Sequence, residues 1–262
     1  MFYKNLGNSL YEVSHKLIKE PLNEVYFNHI HSYCEILLFI NGNANYNIDG
    51  KIYTPKPYDL LFIPQATYHY LIPSSPSPYE NYVIGFDMSI IDERHRSKLF
   101  SPPLMISIKD DPEICSFFSR LDYYNEKYSE RDFDTCARSL IKELLIYCSY
   151  KTKEVSPYPN ETSSPLDSII DFISENLNAP LNAEIISRHF LLSKSYIQNI
   201  FSQSMHIGLK KYIMQKKIYA AKNDLANGIS PIEICEKYCF GDYSVFYRLY
   251  KKTFGVSPRK FE

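Results

Sequence analysis

The spacing of hydrophobic and polar positions changes along this chain, and the change falls near residue 111. Between about residues 22 and 90, short apolar runs such as EILLFI at 35–40 and LLFIP at 60–64 are separated by polar turns, among them Asp49-Gly50. Runs of this length bounded by Gly, Pro or Asn are typical of β-strands. Many short strands predict a small β-barrel or sandwich, which we place in residues 1–110.

Beyond residue 111 the apolar residues recur at the spacing of an α-helix face. A first helix carries Ile114, Phe117, Phe118 and Leu121 on one face, and a second carries Ala137, Leu140, Ile141, Leu144, Leu145 and Cys148. A stripe of that width can pack against the strands of its own chain or against a second subunit, and both interpretations stay open. Residues 151–164 are polar and rich in Ser and Pro, which predicts a linker.

The pattern over residues 165–262 predicts helices arranged in two similar pairs. Asn182 and Ser193 are suitable N-caps for the helices of the first pair. In the second pair, Ser230, Pro231 and Glu233 form a capping box with proline at the first helical position. Helix, tight turn and second helix, twice over, is the layout of two helix-turn-helix units, whose second helices enter the DNA major groove. A helical bundle without a DNA partner would show the same caps and stripes.

A longer helix is predicted between the two pairs, over LKKYIMQKKIYAAKNDLANG at 209–228. About 18 helical residues, at about 1.5 Å each, span roughly 27 Å. A helix of that length could hold two recognition helices about one turn of DNA, roughly 34 Å, apart.

Charge is distributed unevenly over a chain whose net charge is −1. Residues 165–262 hold 13 Lys and Arg against 9 Asp and Glu, whereas residues 1–164 hold 16 against 21. A basic C-terminal part favours a polyanionic partner. The six cysteines show no CxxC spacing, and no segment has the pattern of a signal peptide or a membrane span. We therefore expect a cytoplasmic protein with reduced cysteines and no membrane partner.

The stretch from Leu166 to Phe261 resembles the DNA-binding domain of the AraC/XylS family of transcription regulators. The matching pieces are IIDFISENLNAPLN, LSKSYIQNIF, KKYIMQKKIYAAKNDLANG, ISPIEICEKYCF and DYSVFYRLYKKTFGVSPRKF, of which the last is the most specific signature. The resemblance implies a regulator that binds double-stranded DNA and recruits or blocks RNA polymerase. It also implies a homodimer formed by a helix after the N-terminal domain, which we favour for residues 111–150.

The two recognition helices implied by this resemblance offer side chains of two kinds. Those expected to read bases are Ser195, Gln198 and Asn199 in the first helix and Tyr243, Ser244, Tyr247 and Arg248 in the second. Gln and Asn can bond adenine bidentately, and Arg can do the same to guanine. Those expected to contact phosphates, and so to position the protein, are Lys194, Lys210, Lys251 and Lys252. Arg248 has an alternative role in phosphate contact or local packing.

Two positions of this domain depart from the family pattern. Cys239 stands where the family usually has Gly in the second turn, and His206 where it commonly has Gly after the first recognition helix. Glycine tolerates a positive φ at such places, and another residue in that conformation costs about 1 kcal/mol. The turn geometry at both positions is therefore open.

The N-terminal region resembles the cupin superfamily in two short motifs. His29, His31, Glu35 and Gly42 follow the spacing of the first motif, and Pro64, Ala66 and His69 that of the second, while Asn23, Tyr58 and Ala66 replace glycines. On an extended strand His29, His31 and Glu35 share one face. With His69 they make the set of three His and one carboxylate that metal-dependent cupin enzymes use. Regulators with this kind of C-terminal domain commonly carry a cupin-like barrel as effector sensor.

Two functions follow from these resemblances. We favour a DNA-binding regulator without catalysis or cofactor, whose barrel binds a small effector in a pocket lined by His29, His31, Glu35, Tyr46 and His69. The 24 Tyr and absence of Trp favour a sugar-like effector, since Tyr rings stack on sugar C–H groups; the tyrosines near the pocket strands are Tyr33, Tyr46, Tyr68 and Tyr70. The alternative is a metal-dependent cupin enzyme, with the His and Glu side chains as ligands and a helical partner-binding tail. Both functions predict an α+β chain, with a cupin-like barrel, further helices and an all-α C-terminal domain at 165–262.

Overall fold

A computed structural model of the chain describes residues 2–5, 11–23, 26, 28–100, 104–151 and 164–258. The chain divides into two compact units, residues 1–161 and 162–262. The division falls inside the predicted linker, of which residues 152–163 lie outside the described residues. The α+β fold class is confirmed, because the first unit combines strands with helices and the described part of the second is helical.

The strands of the first unit form two antiparallel sheets. Their bounds are β1 Phe2–Asn5, β2 Tyr11–Ile18, β3 Cys34–Asn41, β4 Ala44–Ile48, β5 Lys51–Tyr53, β6 Asp59–Ile63, β7 His69–Pro73, β8 Tyr79–Phe86 and β9 Leu104–Ser107. Sheet A has six strands in the order β1-β2-β8-β3-β6-β9, and sheet B has three in the order β5-β4-β7. Every described pairing is antiparallel.

Within the described ranges the strands do not close into one barrel, which corrects the barrel prediction. The break comes between β5 and β6, where Pro55 and Pro57 stand. Proline lacks the amide donor that a continuing ladder needs, so it favours the end of a strand pairing. The hydrogen-bonded ladder of sheet B therefore ends at β5, and β6 joins sheet A.

Strand β3 lies inside sheet A, between β8 and β6, and its side chains alternate between two cores. Ile36 and Leu38 belong to a core shared with the helices of this unit. Leu37 and Phe39 belong to a second core, which sheet A shares with sheet B. The first unit is thus layered as helices, sheet A and sheet B.

Three helices pack on sheet A: α1 Glu93–Phe100, α2 Pro112–Lys127 and α3 Glu130–Lys151. Helix α2 begins where the Asp111 side chain accepts a hydrogen bond from the Ile114 backbone N–H. The predicted apolar faces of α2 and α3 are buried in the core shared with sheet A. The stripe of α3 therefore packs inside its own unit, which favours the intramolecular interpretation of that stripe over the dimer contact.

The second unit contains six helices in its described part: α4 Pro165–Glu175, α5 Ala183–Phe190, α6 Lys194–Met205, α7 Leu209–Ala226, α8 Pro231–Lys237 and α9 Tyr243–Phe254. Asn182, Ser193 and Ser230 each accept a hydrogen bond from a backbone N–H of the helix that follows. The capping box between Ser230 and Glu233 is formed. Helix α7 is 18 residues long and connects the pair α5–α6 with the pair α8–α9.

Four residues that replace glycines of the family patterns adopt left-handed backbone conformations. The φ angle is 55° at Cys239 and 51° at His206, and it is 69° at Tyr58 and 57° at Ala66. Glycine adopts such angles without strain, whereas other residues lose about 1–2 kcal/mol. All four positions thus retain the geometry that glycine would allow, at a cost in stability.

Candidate functional site

Helix α6, the first predicted recognition helix, presents an exposed polar face. Ser195, Gln198 and Asn199 are exposed, whereas Ile197 and Phe201 are fully buried. Residues three and four apart lie on the same side of a helix, so these three polar side chains are neighbours. They are accessible together to a partner that lies along α6.

Helix α9 exposes the second set of predicted base-reading residues. Tyr243, Ser244 and Arg248 are exposed, and Tyr247 is half-buried with its ring 6.2 Å from that of Tyr243. Nε of Arg248 donates a hydrogen bond to the Ser244 carbonyl oxygen at 3.2 Å. To reach a base edge with this nitrogen, Arg248 must give up that one local contact, so base reading and local packing remain competing roles.

The four predicted phosphate-contacting lysines are exposed, namely Lys194, Lys210, Lys251 and Lys252. Nζ of Lys194 lies 3.2 Å from Oε2 of Glu184 on α5. The hydrogen bond and attraction from Lys194, with the charge of Arg188, lower the pKa of the Glu184 carboxyl. Lys194 therefore already has an acidic neighbour, whereas the described ion pairs include neither Lys251 nor Lys252.

Lys217 of α7 is a buried charged residue that the sequence pattern did not single out. Its side chain is buried, and Nζ donates to the carbonyl oxygens of Ala179 at 2.7 Å and Tyr238 at 2.8 Å. Ala179 precedes α5, and Tyr238 ends α8. Burial lowers the pKa of this ammonium group. A lysine within a helical pattern is expected at the surface, so only the tertiary structure reveals this contact.

In the first unit, four predicted pocket residues meet where sheet A and sheet B adjoin. Glu35 lies in β3, His69 begins β7, and the backbones of His29 and His69 exchange two hydrogen bonds of 3.2 and 3.1 Å. Nε2 of His31 is 3.2 Å, and Nε2 of His69 3.5 Å, from Oε2 of Glu35. One nitrogen or oxygen from each of the four side chains lies within 4.8 Å of the others. This donor set has the composition and spacing to hold a metal ion.

Backbone carbonyls orient two of the imidazole rings. Nδ1 of His31 is 2.8 Å from the Tyr33 carbonyl oxygen, and Nδ1 of His69 is 3.0 Å from that of Thr67. A carbonyl oxygen can only accept, so each Nδ1 carries the donated proton and each Nε2 faces Glu35.

The charges of this group stabilise one another. Burial alone would raise the pKa of Glu35, but hydrogen bonds and attraction from His31 and His69 outweigh it and hold that pKa well below its usual range. Burial would likewise lower the pKa of His69, but its interaction with Glu35 raises it. Glu35 is therefore a carboxylate that faces imidazole rings within the protein.

The ring of Tyr33 packs against the ring of His31. The two rings stack with centroids 3.8 Å apart and planes 4° from parallel, and the Tyr33 hydroxyl donates to Glu12 at 3.0 Å. The Tyr33 ring lies over Gly85 of β8, where an added Cβ would come within 2.7 Å of it. Gly85 faces Glu35 across the β3–β8 pair. The sequence gives no sign of this contact, because the pairing register decides it.

The other predicted pocket tyrosines belong to the interior. Tyr46 is 3% exposed, Tyr68 3% and Tyr70 9%. The hydroxyls of Tyr46 and Tyr79 are hydrogen-bonded to each other, and both rings lie in the core between the sheets. Burial, followed by the charge of Glu35, raises the pKa of Tyr79. Tyr46 therefore contributes mainly to packing beside the histidine cluster.

None of the helices in the described part of the chain combines the length and apolar character needed to cross a bilayer.

Comparisons with known proteins match both units. Residues 18–121 match the family model of the AraC-like ligand binding domain, and residues 186–262 match that of a helix-turn-helix domain. The multiple antibiotic resistance protein MarA of Escherichia coli is 30% identical over 103 residues, which cover 39% of this chain and 81% of MarA.

A second relative extends over most of the chain. The uncharacterized HTH-type transcriptional regulator YdiP of Escherichia coli is 22% identical over 238 residues, 88% of this chain and 78% of YdiP. Among solved structures, ToxT from Vibrio cholerae is similar with 13% identity, a TM-score of 0.40 and coverage of 95% of each chain.

Proposed function

The chain belongs to the AraC family of transcription regulators and has an N-terminal ligand-binding domain, and from this membership we propose that a small effector controls its binding to specific DNA sequences. The observation that carries the proposal is the pair of exposed polar faces on α6 and α9. Each is the second helix of a helix-turn-helix unit, the element that enters the major groove.

The chemistry of the side chains separates those that read bases from those that position the protein on DNA. Gln198, Asn199 and Arg248 can make bidentate contacts with base edges. The other predicted base-reading residues carry one hydroxyl each, and we propose that each adds a single hydrogen bond to the same bases. They are Ser195, Tyr243, Ser244 and Tyr247. Lys194, Lys210, Lys251 and Lys252 are proposed to bind phosphates, which orients the protein without selecting a sequence.

Control by the effector requires two arrangements of the protein with different affinities for it. We propose that effector binding in the first unit shifts the population able to place both recognition helices on DNA. The bound form then recruits or blocks RNA polymerase. A protein that acts on chromosomal DNA works in the bacterial cytoplasm, which is the location we propose.

The effector is proposed to be a small polar molecule that binds near His29, His31, Glu35 and His69. A sugar-like compound remains the favoured class, because the chain holds 24 Tyr and no Trp and Tyr33 lies beside His31. Tyr46, Tyr68 and Tyr70 give this idea less support, since they are packed in the interior. A sugar would therefore contact Tyr33 and the polar cluster.

A homodimer is proposed to form through the outer face of α3, because the inner stripe is already buried. This face carries Ile146, Tyr147 and Tyr150, and Tyr150 is 56% exposed. Sedimentation velocity should show a dimer for the native chain and a monomer for Tyr150→Glu. Tyr123→Glu, at a similarly exposed tyrosine of α2, should stay dimeric. A native chain that is monomeric at every concentration would refute the dimer.

The alternative of a metal-dependent cupin enzyme uses the same His and Glu side chains. Membership of a DNA-binding family argues against it. An enzyme with a helical partner-binding tail has no need of sequence-selective DNA binding, so this property separates the two functions.

The decisive experiment measures binding of the purified chain to DNA upstream of its own gene and to random DNA, at two salt concentrations. A regulator should prefer one DNA sequence and lose affinity steeply as salt rises, because phosphate contacts release counterions. Equal affinity for both DNAs, with and without candidate sugars, would contradict the proposal and return the enzyme alternative to first place.

A further inference from the structure

We infer that the two helix-turn-helix units read different chemical groups of their DNA half-sites. Helix α6 is assigned to the hydrogen-bonding edge of adenine, and helix α9 to the methyl group of thymine. The inference rests on the proposed function, because it assumes that both helices enter the major groove. It adds the kind of base group that each helix selects.

The two recognition helices can be compared position by position. Each has 12 residues and follows a capping residue, Ser193 for α6 and Asp242 for α9, whose side chain accepts a hydrogen bond from the backbone N–H three residues later. The fourth residue after the cap, Ile197 in α6 and Phe246 in α9, is fully buried in both helices. Because successive helical residues are separated by a fixed angle, equal numbering from the cap means that the same positions face outward.

The outward positions differ in chemistry at the first and the fifth residue after the cap. Helix α6 has Lys194 and Gln198 at these positions, whereas α9 has Tyr243 and Tyr247. Residues four apart are neighbours on the surface of a helix. The two tyrosine rings have their centroids 6.2 Å apart and their planes at 46°, and Tyr243 is 42% exposed. Helix α9 thus presents an aromatic surface where α6 presents an ammonium group and an amide.

The aromatic surface of α9 matches the apolar group that thymine offers in the major groove. This group is the C5 methyl, which apolar side chains contact in protein–DNA complexes. Contact with a tyrosine ring removes apolar area of both groups from water, which favours thymine over an unmethylated pyrimidine. The hydroxyl of each ring can still donate a hydrogen bond to O4 of thymine or to a neighbouring acceptor.

The polar surface of α6 matches adenine. Gln198 and Asn199 are exposed at successive positions of this helix. The amide of either residue can accept from N6 of adenine and donate to N7 at the same time. Successive helical residues point about 100° apart, so the two amides are expected to read adenines of different base pairs. An A·T pair carries both the adenine edge and the thymine methyl, so the two assignments are separated by removal of single groups and not by base composition.

The test removes such groups from the DNA. The full-length native chain first selects its preferred sequence from a library of random duplexes. Each thymine of that sequence is then replaced by deoxyuridine, which lacks only the methyl group. Each adenine is replaced by 7-deazaadenine, in which the N7 acceptor becomes C–H. The affinity for each modified duplex is measured by fluorescence anisotropy at one fixed salt concentration.

Each kind of modification should weaken binding mainly in one half-site. Deoxyuridine in the half-site that α9 contacts should reduce the affinity of the native chain about fourfold per methyl group. 7-Deazaadenine in the half-site that α6 contacts should reduce it at least about fivefold. Tyr243→Ala should be insensitive to deoxyuridine and remain sensitive to 7-deazaadenine, whereas Gln198→Ala should show the opposite. The two variants thereby assign each half-site to its helix.

Two further variants separate the ring contact from other effects of substitution. Tyr243→Phe keeps the ring and loses the hydroxyl, so it should keep the sensitivity to deoxyuridine. Tyr196→Ala is the matched control, because it removes a tyrosine of α6 that is 43% exposed and lies outside the predicted base-reading set. It should keep both sensitivities of the native chain. Circular dichroism of each variant verifies that the helices are formed.

Each outcome decides the inference. A native chain that tolerates deoxyuridine throughout its selected sequence, or a Tyr243→Ala variant that is as sensitive to it as the native chain, would overturn the thymine assignment. Equal sensitivity of the native chain and Gln198→Ala to 7-deazaadenine would overturn the adenine assignment. Both results leave the regulator proposal intact, because a sequence has then been selected. A chain that selects no sequence would contradict the proposed function and this inference together.

Discussion

Nζ of Lys217 lies 2.8 Å from the carbonyl oxygen of Tyr238, where α8 ends. The same ammonium group donates to the carbonyl of Ala179, in the loop that leads into α5. One buried cation on the connecting helix α7 therefore contacts both helix-turn-helix halves of the second unit.

Replacement of this cation should destabilise the second unit. Lys217→Met leaves two carbonyls without their donor, at about 1–3 kcal/mol each, and part of this is regained because no ammonium is buried. We expect the free energy of unfolding to fall by about 2 kcal/mol. Lys211→Met, at an exposed position of α7, should change it by less than about 0.5 kcal/mol. Urea denaturation followed by circular dichroism compares them, and equal midpoints would refute the role of Lys217.

Arg248 and Lys251 should differ in what they contribute to DNA binding. Arg248→Ala should reduce affinity for the cognate sequence by about 1–3 kcal/mol and leave the salt dependence nearly unchanged. Lys251→Ala should weaken binding to all sequences alike and reduce the salt slope by about 1. Binding isotherms on cognate and random DNA over a salt series measure both quantities. If both variants lose affinity equally on the two DNAs, then Arg248 does not read bases and its packing role prevails.

Cysteine-to-glycine substitutions should have opposite effects at two positions. Cys239 has a φ of 55°, so Cys239→Gly relieves about 1–2 kcal/mol of strain, less about 0.4–1 kcal/mol for the freer unfolded chain. Cys136 lies inside α3, where glycine costs about 1 kcal/mol. Thermal denaturation should therefore show a higher midpoint for Cys239→Gly and a lower one for Cys136→Gly. A loss of stability in both would mean that the left-handed turn carries little strain.

Gly85 should be intolerant of a larger residue because of Tyr33. Gly85→Ala places a Cβ within 2.7 Å of the Tyr33 ring, and overpacking of this kind costs about 1–3 kcal/mol. Tyr33 must move, and the His31 ring stacked on it must follow. Gly208→Ala meets no atom within 4 Å, so it should cost at most about 1 kcal/mol, the difference between Gly and Ala at an N-cap. Denaturation midpoints test this, and similar values for both variants would contradict it.

The Asp111 side chain caps α2, and its charge predicts that the stability of the fold depends on pH. Burial would raise the pKa of Asp111, but the hydrogen bond from the Ile114 N–H and the Lys151 ammonium outweigh it and lower the pKa below 3.8. Because this pKa is lowered in the folded state, the Asp111 carboxylate stabilises the fold above about pH 3.8. This contribution is lost as pH falls through the folded-state pKa.

Asp111→Ala should therefore lower the free energy of unfolding by about 1 kcal/mol near neutral pH. The difference from the native chain should shrink once pH falls below 3.8. Asp110→Ala, an exposed neighbour, is the control. Urea denaturation from neutral to acidic pH provides the measurement, and a difference that does not vary with pH would exclude the ionised cap.

Local patterns in the sequence predicted the elements that depend on neighbouring residues. Asn182, Ser193 and Ser230 cap helices as expected, because a cap involves atoms only a few residues apart. The contact between His31 and Glu35 was expected from an extended strand, but it forms across the bend at residues 32 and 33 ahead of β3. Such features need no knowledge of the distant chain.

Features decided by distant contacts were missed or wrong. In the described ranges the predicted barrel does not close, because the strand pairing of sheet B ends at β5, and Tyr46 is packed against Tyr79 between the sheets. Lys217 was overlooked because its partners are 38 and 21 residues away in sequence. Whether an apolar stripe meets its own sheet or another subunit also depends on the tertiary fold.

The interior position of β3 restricts how a ligand can affect the first unit. Glu35 lies on a strand that is hydrogen-bonded on both sides, and a slip of one residue would exchange its two cores. Translation of this strand is therefore excluded as a response to ligand. The residues just ahead of it, from 28 to 33, form no strand, and their backbone is held by the bridge between His29 and His69 and by a hydrogen bond from the Ala66 N–H to the His31 carbonyl oxygen. Any displacement on ligand binding is therefore expected in this irregular segment, whose Tyr33 contacts Glu12 and Gly85, and not in β3 itself.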